Sequence, residues 1–139
     1  MPEEVGIILD HLESVKSTKF GDLEIFSGNY RINNSKKVFI STAWSGWGKV
    51  SAARATTRLL SSNLLHIPVD FALFTGVAGA VDKKLKQWDI ILSKEVMQYD
   101  MDARPIFDKY VIPAIESEKI APRKDLLEII SIISKEKLN

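Results

Sequence analysis

A short apolar run that ends in a glycine-containing segment is the feature that most constrains the fold of this chain. Phe71-Ala72-Leu73-Phe74 is apolar and aromatic-rich, which is typical of a buried strand, and Gly76 and Gly79 follow within residues 75–81. A strand ending in glycines presents backbone N–H groups at its carboxyl end, where open parallel sheets bind ligands. Since glycine permits close approach and a positive φ, the segment predicts a cradle for a small polar molecule. The alternative is a tight turn without a ligand.

The composition is that of an ordinary globular protein and excludes several classes of function. With 139 residues, the chain is long enough for one domain, which we predict to span 1–139. A net charge of +1 gives no bulk attraction to nucleic acid or to an anionic membrane. There is no cysteine, and the two histidines, His11 and His66, lack ligand spacing, so we expect no metal site. The acidic amino terminus is unlike a signal peptide, which predicts a cytoplasmic protein.

Apolar spacing and turn residues predict alternating helices and strands. Pro2 followed by two acids begins a helix whose apolar positions run on to Leu12 and Val15. Further elements are predicted as strands at 23–30, 38–42, 71–75 and 88–96, helices at 50–65 and 123–137, a turn at Asn33-Asn34, and a long ordered loop at 99–113. Strand, glycine loop, helix and strand in succession predict a βαβ unit with parallel pairing. In the last helix, the residues predicted to face inward are Leu126, Leu127, Ile129, Ile130, Ile132 and Ile133.

Five segments of the chain together resemble one enzyme family. They are Met1-Pro2-Glu3-Glu4-Val5, Ser45-Gly46-Trp47-Gly48-Lys49-Val50, Thr75-Gly76-Val77-Ala78-Gly79-Ala80, Trp88-Asp89-Ile90 and Tyr99-Asp100-Met101-Asp102-Ala103. In their order and spacing they resemble the purine nucleoside phosphorylase and nucleosidase superfamily, and within it the 5′-methylthioadenosine/S-adenosylhomocysteine nucleosidases. The resemblance covers nearly the whole chain.

The resemblance implies an α/β fold, namely a three-layer α/β/α arrangement around a mixed, mainly parallel sheet. In the family a short strand precedes the Met-x-Glu-Glu segment, and members continue well past Asn139. We therefore expect this chain to be an incomplete, amino-terminal portion of such an enzyme. The expected missing part holds an aromatic that stacks on the base, a Met-Glu pair for the ribose, and a Ser-Asp pair with the leaving-group acid.

The implied function is hydrolysis of the N-glycosidic bond of methylthioadenosine or S-adenosylhomocysteine, which releases adenine. Glu4 matches the carboxylate that activates water. The alternative is that Glu4 only stabilises the positive end of the helix dipole, a role that Glu3 would serve equally. Substrate-binding positions implied by the resemblance are Gly79, Ala78, Val77, Met1, Ser45 and Gly46. Many nucleosidases carry a hydroxyl residue where Val77 stands, so one side-chain hydrogen bond is absent here.

Phe74 separates hydrolysis from phosphorolysis. Phosphorylases of the superfamily commonly place an arginine two residues before the first loop glycine, and a phosphate needs such charge-assisted donors. Phe74 provides none, which favours water as the nucleophile. Two alternatives stay open: a purine nucleoside phosphorylase or another nucleosidase, and an inactive fragment that keeps only the fold and dimer contacts.

The resemblance also implies a homodimer without a cofactor. Trp47, Phe107 and Pro113 match positions that cap the 5′-substituent pocket of the neighbouring subunit, although aromatic residues are common at interfaces without any ligand. Asp89 and Asp102 are carboxylates in loops, where holding a turn is the commoner role. No nucleic acid or membrane partner is expected.

Overall fold

Three consecutive strands form an antiparallel meander in the first part of the chain. A computed structural model describes residues 2–61 and 68–138, with the backbone alone for residues 2–4 and 138. Strand β1 (Leu12–Phe20) pairs with β2 (Leu23–Arg31), and β2 pairs with β3 (Lys37–Ala43), in the order β1-β2-β3. The predicted strands at 23–30 and 38–42 are confirmed.

Two tight turns fix the register of the meander. Gly21 has a φ of 63° in the two-residue turn between β1 and β2, a conformation that hairpin turns of this length favour. Between β2 and β3, the Asn33 side-chain oxygen accepts hydrogen bonds from the backbone N–H of Ser35 at 3.0 Å and of Lys36 at 2.9 Å. The predicted Asn33-Asn34 turn is thus confirmed, because this short side chain replaces a backbone partner.

Strand β1 corrects the predicted first helix. Helix α1 (Pro2–Leu9) ends before Leu12, and Leu12 and Val15 belong to β1. Both residues fit helical spacing from Ile8, but pairing with β2 determines the structure of this segment. A bulge interrupts the pairing between Glu13 and Lys16, with Ser14 at a φ of 55°.

The core of the first unit, Met1–Gly79, lies between the meander and one helix. Helix α2 (Lys49–Leu60) places Ala55 against Leu23 and Ile25 of β2, and these three are the buried hydrophobic residues of the described chain. Phe20, Ala43 and Leu59 pack around them. The predicted helix at 50–65 is confirmed as far as Leu60; His66 and the rest of 62–67 lie outside the described residues.

The second unit, Ala80–Asn139, has little regular structure before its helix. Strand β4 (Val96–Met97) pairs antiparallel with β5 (Lys119–Ile120), and the Lys119 ammonium lies 2.8 Å from the Glu95 carboxylate. Helix α3 (Lys124–Leu138) confirms the prediction for 123–137. The predicted inward face of this helix included too many residues: Ile129, Ile132 and Ile133 are each more than half exposed.

Two predicted strands do not form in the described structure. Residues 71–75 and 88–93 have no regular structure, and every strand pairing in the described ranges is antiparallel. The predicted βαβ unit is therefore absent from the described residues. A strand requires a hydrogen-bonding neighbour, and no described segment supplies one to either run. Both strand predictions are therefore wrong for the described structure, because an apolar pattern contains no information about a pairing partner.

Candidate functional site

The glycine loop at 76–79 is an open, exposed segment of the first unit. Val77 is 86% exposed, and Ala78 and Gly79 are also exposed. A Cβ added at Gly79 would meet no atom within 4 Å, whereas one added at Gly76 would approach the Phe74 ring at 3.9 Å. Neither glycine has a positive φ, so the expectation of left-handed geometry is wrong for this loop. What the glycines provide is free space beside the backbone, which a ligand could occupy.

The loop at 44–48 does use left-handed glycines. Gly46 has a φ of 81° and Gly48 a φ of 86°, conformations that a side chain disfavours, and Gly48 is the N-cap of α2. The half-buried Ser45 donates its hydroxyl proton to the Gly46 carbonyl at 3.1 Å, and Trp47 is 82% exposed. These residues bring a hydroxyl and a large aromatic surface to the start of a helix.

The partial positive charge at the amino end of α2 is not balanced by acidic or capping side chains of the helix itself. Its N-cap makes no side-chain hydrogen bond, and its first turn contains no acidic residue. The partial positive charge at a helix start favours an electron-rich ligand atom such as a hydroxyl or carboxylate oxygen. Because Ser45 and Gly46 lie three and two residues before the N-cap Gly48, the loop can combine a hydroxyl with backbone N–H donors.

Helix α1 carries the predicted water-activating residue in its first turn. The backbone of Glu4 lies in α1, which packs against β1 and β3, and the Glu4 side chain lies outside the described part. Met1 also lies outside the described residues. The helix belongs to the same unit as both loops. The role of Glu4 and the substrate contact of Met1 stay predictions.

The second unit holds Phe107 and Pro113 in a loop ordered by its own hydrogen bonds. The Tyr110 N–H donates to the Met101 carbonyl at 3.0 Å, and the Phe107 N–H donates to the Ala103 carbonyl at 3.2 Å. Phe107 is half-buried and Pro113 is exposed. The prediction of an ordered loop at 99–113 is thereby confirmed, while the role of its residues at a neighbouring subunit stays a prediction.

Asp102 and Asp89 hold turns, as predicted. Asp102 forms an ion pair with Arg104 at 2.6 Å, and the Arg104 hydrogen bond lowers the pKa of Asp102 to about 2. The Asp89 carboxylate accepts the Lys86 N–H at 2.8 Å. A carboxyl group with a pKa of about 2 is ionised at neutral pH and holds no proton to donate. Asp102 is thus unsuited to be the acid that protonates a departing base.

A cavity in the first unit contains none of the predicted site residues. It has a volume of about 370 Å³ and is lined by Phe20, Gly21, Leu23, Arg54 and Arg58. Arg54 donates two hydrogen bonds to Asp22, at 2.6 and 3.0 Å, and the Arg58 guanidinium lies 4.8 Å from the centre of the Phe20 ring. Both cations are engaged in holding α2 on the meander. We interpret this cavity as structural and the two loops as the candidate site.

Sequence reasoning missed the ionic contacts that support this framework. Glu13 accepts hydrogen bonds from Arg31 and Lys37, both at 2.6 Å, and so links all three strands. Opposite charges on neighbouring strands were the available signal, but it has meaning only once β1 is recognised as a strand. Among the described residues, no group of three or more histidine, cysteine, aspartate or glutamate side chains could hold a metal ion. No helix in that part of the chain is long and apolar enough to cross a membrane.

Comparison with known families places the chain in a class of protein. The family model described as the phosphorylase superfamily matches residues 1–137. The chain therefore belongs to the phosphorylase superfamily, which confirms the family resemblance found in the sequence.

Individual relatives share a more specific name. A 5′-methylthioadenosine/S-adenosylhomocysteine nucleosidase from Buchnera aphidicola subsp. Schizaphis graminum is 33% identical over 135 residues, covering 96% of this chain and 53% of that protein. The solved structure of the nucleosidase of that name from Neisseria meningitidis, in complex with methylthio-immucillin-A, has a TM-score of 0.82 at 26% identity, covering 98% of this chain and 55% of that one.

A second solved structure of a protein with the same name is also similar to this chain. It is the nucleosidase of that name from Colwellia psychrerythraea in complex with adenine, with a TM-score of 0.79 at 31% identity, covering 100% of this chain and 54% of that one. The chain thus spans about half the length of the relatives it matches.

Proposed function

We propose that this chain contributes to the active site of an enzyme that hydrolyses the N-glycosidic bond of 5′-methylthioadenosine or S-adenosylhomocysteine and releases adenine. The observation that carries the proposal is similarity along almost the whole chain to proteins that bear this name. Support also comes from the two neighbours, whose complexes hold methylthio-immucillin-A and adenine. Both ligands are related to adenine nucleosides, so a purine nucleoside is the substrate class proposed.

Glu4 is proposed as the residue that activates water. Cleavage of an N-glycosidic bond develops positive charge on the ribosyl group while water approaches from the side opposite the departing base. A nearby carboxylate both accepts a proton from that water and stabilises the developing charge. Glu4 stands in the first turn of α1, in the same unit as the two candidate loops, which is compatible with this role.

Backbone groups are proposed to hold the nucleoside. Gly79, Ala78 and Val77 would line the floor beneath the base and ribose, where the space beside Gly79 is open. Ser45 and Gly46 would contact the substrate beside the uncompensated start of α2. Backbone N–H groups suit this task because they are held in place by the fold and need no rearrangement during reaction.

Water rather than phosphate is proposed as the nucleophile. Phe74, 81% exposed, occupies the position at which the resemblance implies an arginine in phosphorylases. A phenyl ring cannot bind a phosphate dianion through charge-assisted hydrogen bonds. The names of the relatives favour hydrolysis as well.

The finer assembly of the protein is also a proposal. A three-layer fold with a mainly parallel sheet is supported by membership of the superfamily. A homodimer in which Trp47, Phe107 and Pro113 cap the neighbour's 5′-substituent pocket is supported by the exposure of Trp47 and Pro113. A cytoplasmic location stays a prediction from the sequence.

The test measures adenine release from methylthioadenosine with and without phosphate. The protein is this whole chain fused to the part of the Colwellia nucleosidase that it does not match, with the unfused chain assayed in parallel. We expect the fusion to release adenine at a rate independent of phosphate. The unfused chain should turn over negligibly, because general acid catalysis typically contributes about 10²–10⁴-fold and the implied acid is absent from its sequence.

Glu4→Gln and Glu3→Gln form a matched pair in the same helical turn. We expect Glu4→Gln to lower turnover by about 100-fold or more while affinity for methylthio-immucillin-A changes little. Glu3→Gln removes the same negative charge from the first turn of the helix but not the proposed water-activating group. It should therefore leave turnover within about twofold. If the two substitutions lower turnover equally, Glu4 acts only through its charge at the helix start and does not activate water. If the fusion binds the inhibitor but releases adenine only when phosphate is present, the reaction is phosphorolysis and the proposed hydrolysis is wrong.

A further inference from the structure

Asp102 and Arg104 form an ion pair with a fixed geometry on the loop at 99–113. The Arg104 Nε donates a hydrogen bond to one carboxylate oxygen of Asp102 at 2.9 Å, and its Nη2 donates to the other at 2.6 Å. The Arg104 backbone N–H also donates to Asp102, at 3.3 Å. Two parallel bonds orient both groups, since the planar guanidinium matches the carboxylate. The Arg104 and Asp102 side chains are 59% and 41% exposed, so this oriented pair is open to solvent.

Closure of the loop brings Lys109 close to the pair. The Tyr110 N–H donates to the Met101 carbonyl at 3.0 Å, and Asp102 and Lys109 are each next in sequence to one of these residues. Tyr110 has a φ of 76°, a conformation that a bulky residue rarely adopts. Hydrogen bonds from Arg104, and more weakly the charge of Lys109, lower the pKa of Asp102 to about 2. Asp102 is therefore ionised at neutral pH, with two cationic side chains near it.

The pair retains unused hydrogen-bonding capacity. Arg104 uses Nε and Nη2 for Asp102, whereas its Nη1 makes no hydrogen bond with another described residue. Oδ1 of Asp102 accepts two hydrogen bonds and Oδ2 accepts one, so Oδ2 can accept another. Donors and acceptors thus lie side by side in one exposed group. The amino-acid end of a ligand, with its own ammonium and carboxylate, is complementary to this group, because each of its charges can meet an opposite one.

Apolar side chains follow the pair in the same loop. Ile106 is 81% exposed, and Phe107 is half-buried. Three residues span at most about 11 Å, so a ligand group held by Phe107 lies within reach of Arg104. The proposed function places Phe107 over the 5′-substituent pocket of a neighbouring subunit. Methylthioadenosine ends there in a methyl group, whereas S-adenosylhomocysteine continues through an ethylene unit to an ammonium and a carboxylate. The two substrates therefore differ where the loop carries its charges.

We propose that Arg104 and Asp102 bind the amino-acid end of S-adenosylhomocysteine in the site of the neighbouring subunit. Arg104 donates to the α-carboxylate and Asp102 accepts from the α-ammonium, and both contacts are charge-assisted hydrogen bonds. This assignment rests on the proposed function and adds to it the residues that distinguish its two substrates. The pair takes no part in bond cleavage. Since it is exposed, its effect on affinity is moderate and decreases with salt.

The experiment compares the affinities of the two compounds in the fusion described above, carrying Glu4→Gln so that bound substrate is consumed slowly. Isothermal titration calorimetry gives both dissociation constants. Arg104→Gln should weaken binding of S-adenosylhomocysteine by about tenfold more than binding of methylthioadenosine, because only the former loses charged hydrogen bonds. Arg104→Lys should recover part of this loss, since it keeps the charge but not the planar fork.

Arg123→Gln is the matched control. Arg123 forms the same kind of pair with Asp125, two residues away, through hydrogen bonds of 3.1 and 2.6 Å beside the start of α3. Its substitution removes an equivalent exposed ion pair and should leave the ratio of the two affinities unchanged. High salt should weaken binding of S-adenosylhomocysteine more in the fusion that keeps Arg104 than in Arg104→Gln.

Two results would overturn this inference alone. They are equal weakening of both compounds by Arg104→Gln, and a change in the affinity ratio by Arg123→Gln as large as that by Arg104→Gln. Binding of neither compound would overturn it together with the proposed function. A selective effect of Arg104→Gln, with no adenine released by the fusion that keeps Glu4, would refute hydrolysis and leave the role of the pair standing.

Discussion

Gly28 faces the bulge that interrupts the pairing of β1 with β2. A Cβ at this position would lie 3.0 Å from the Glu13 carbonyl oxygen, 3.2 Å from the Leu12 Cβ and 3.4 Å from a Val15 methyl carbon. The closest of these atoms belongs to the backbone of a paired strand and cannot move independently. The absence of a side chain at Gly28 is therefore what allows β1 to approach β2 here.

We predict that Gly28→Ala destabilises the meander by about 1–3 kcal/mol, because an added methyl group forces the bulge away from β2. The measurement is the opening free energy of β2 amides, obtained by native-state hydrogen exchange. Gly6→Ala is the control, since a Cβ at Gly6 meets nothing within 4 Å and alanine favours a helix by about 1 kcal/mol. Equal opening energies in Gly28→Ala and the unmodified chain would contradict the crowding argument.

Glu13 should make the stability of the meander depend on pH in the acid range. Hydrogen bonds from Arg31, then from Lys37, lower its pKa from an ordinary value of 4.5 to about 2. Because the folded pKa lies below the unfolded one, the stabilisation is complete above about pH 4.5 and is lost as the pH falls through about 2. All three groups are solvent-exposed, which keeps the effect small and sensitive to salt.

We predict that Glu13→Gln lowers the urea midpoint of the chain at pH 7, and that the difference from the unmodified chain shrinks between pH 4.5 and 2. Far-UV circular dichroism at matched ionic strength gives both midpoints. Asp125→Asn provides the comparison, because Asp125 pairs with Arg123 two residues away and links no strands. A difference that stays constant down to pH 2 would show that Glu13 acts by packing and not through its charge.

At the scale of secondary structure, α2 is held on the meander by a small core. Leu23 and Ala55 are each 2% exposed, and they meet where the helix crosses β2. At the edge of this core, the Asp22–Arg54 pair is exposed to solvent, and so is Arg58 where it contacts the half-buried Phe20 ring. Exposed pairs of this kind contribute little, so the buried side chains must provide most of the attachment.

We predict that Leu23→Ala detaches α2, because removing a buried leucine typically costs about 2–5 kcal/mol. Amide exchange in α2 should then approach that of an unfolded peptide, while Leu23→Met, which nearly conserves volume, should cost less than about 1.5 kcal/mol. Because Leu23→Met changes the side chain but nearly keeps its volume, comparing the two variants shows whether lost packing volume is what releases α2. Protection of α2 that survives Leu23→Ala would mean that the exposed ionic contacts hold the helix.

Local signals account for the elements that were predicted correctly. The Asn33 turn, strands β2 and β3 and helix α3 each depend on residues close in sequence, so periodicity and turn chemistry were sufficient. Strand β1 was missed because Leu12 and Val15 continue the helical spacing of α1. Residues 71–75 were predicted as a strand for their composition, but pairing is a non-local property that composition does not contain.

The candidate site was predictable only as a set of motifs. Gly46 has the positive φ that a loop glycine suggests, whereas Gly76 and Gly79 do not. The resemblance, not spacing or composition, selected Glu4 over Glu3, because both acids suit a helix start equally. For Phe107 and Pro113, burial in the chain cannot test the proposed role at a neighbouring subunit.

At the scale of the whole molecule, the small core limits the cooperativity of unfolding. With three buried hydrophobic residues in the described ranges, unfolding exposes less additional apolar surface than it does in a compact domain of this length. The denaturant dependence of the unfolding free energy, the m-value, increases with the surface newly exposed, and small proteins typically show about 1–3 kcal/mol/M in urea. A chain that already exposes its apolar residues should fall below that range.

We therefore predict a broad urea transition for the chain alone, with an m-value below about 1 kcal/mol/M. In the fusion with the unmatched part of the Colwellia nucleosidase, which has about twice as many residues, the m-value should rise more than about twofold. The added length alone increases the surface exposed on unfolding about twofold, and burial of residues 71–75 would add to it. Tryptophan emission reports the same change, because Trp88 and Trp47 are largely exposed in the chain and should shift to shorter wavelength if they become covered. A steep transition with an m-value near 2 kcal/mol/M for the chain alone would mean that it buries its apolar residues without a partner.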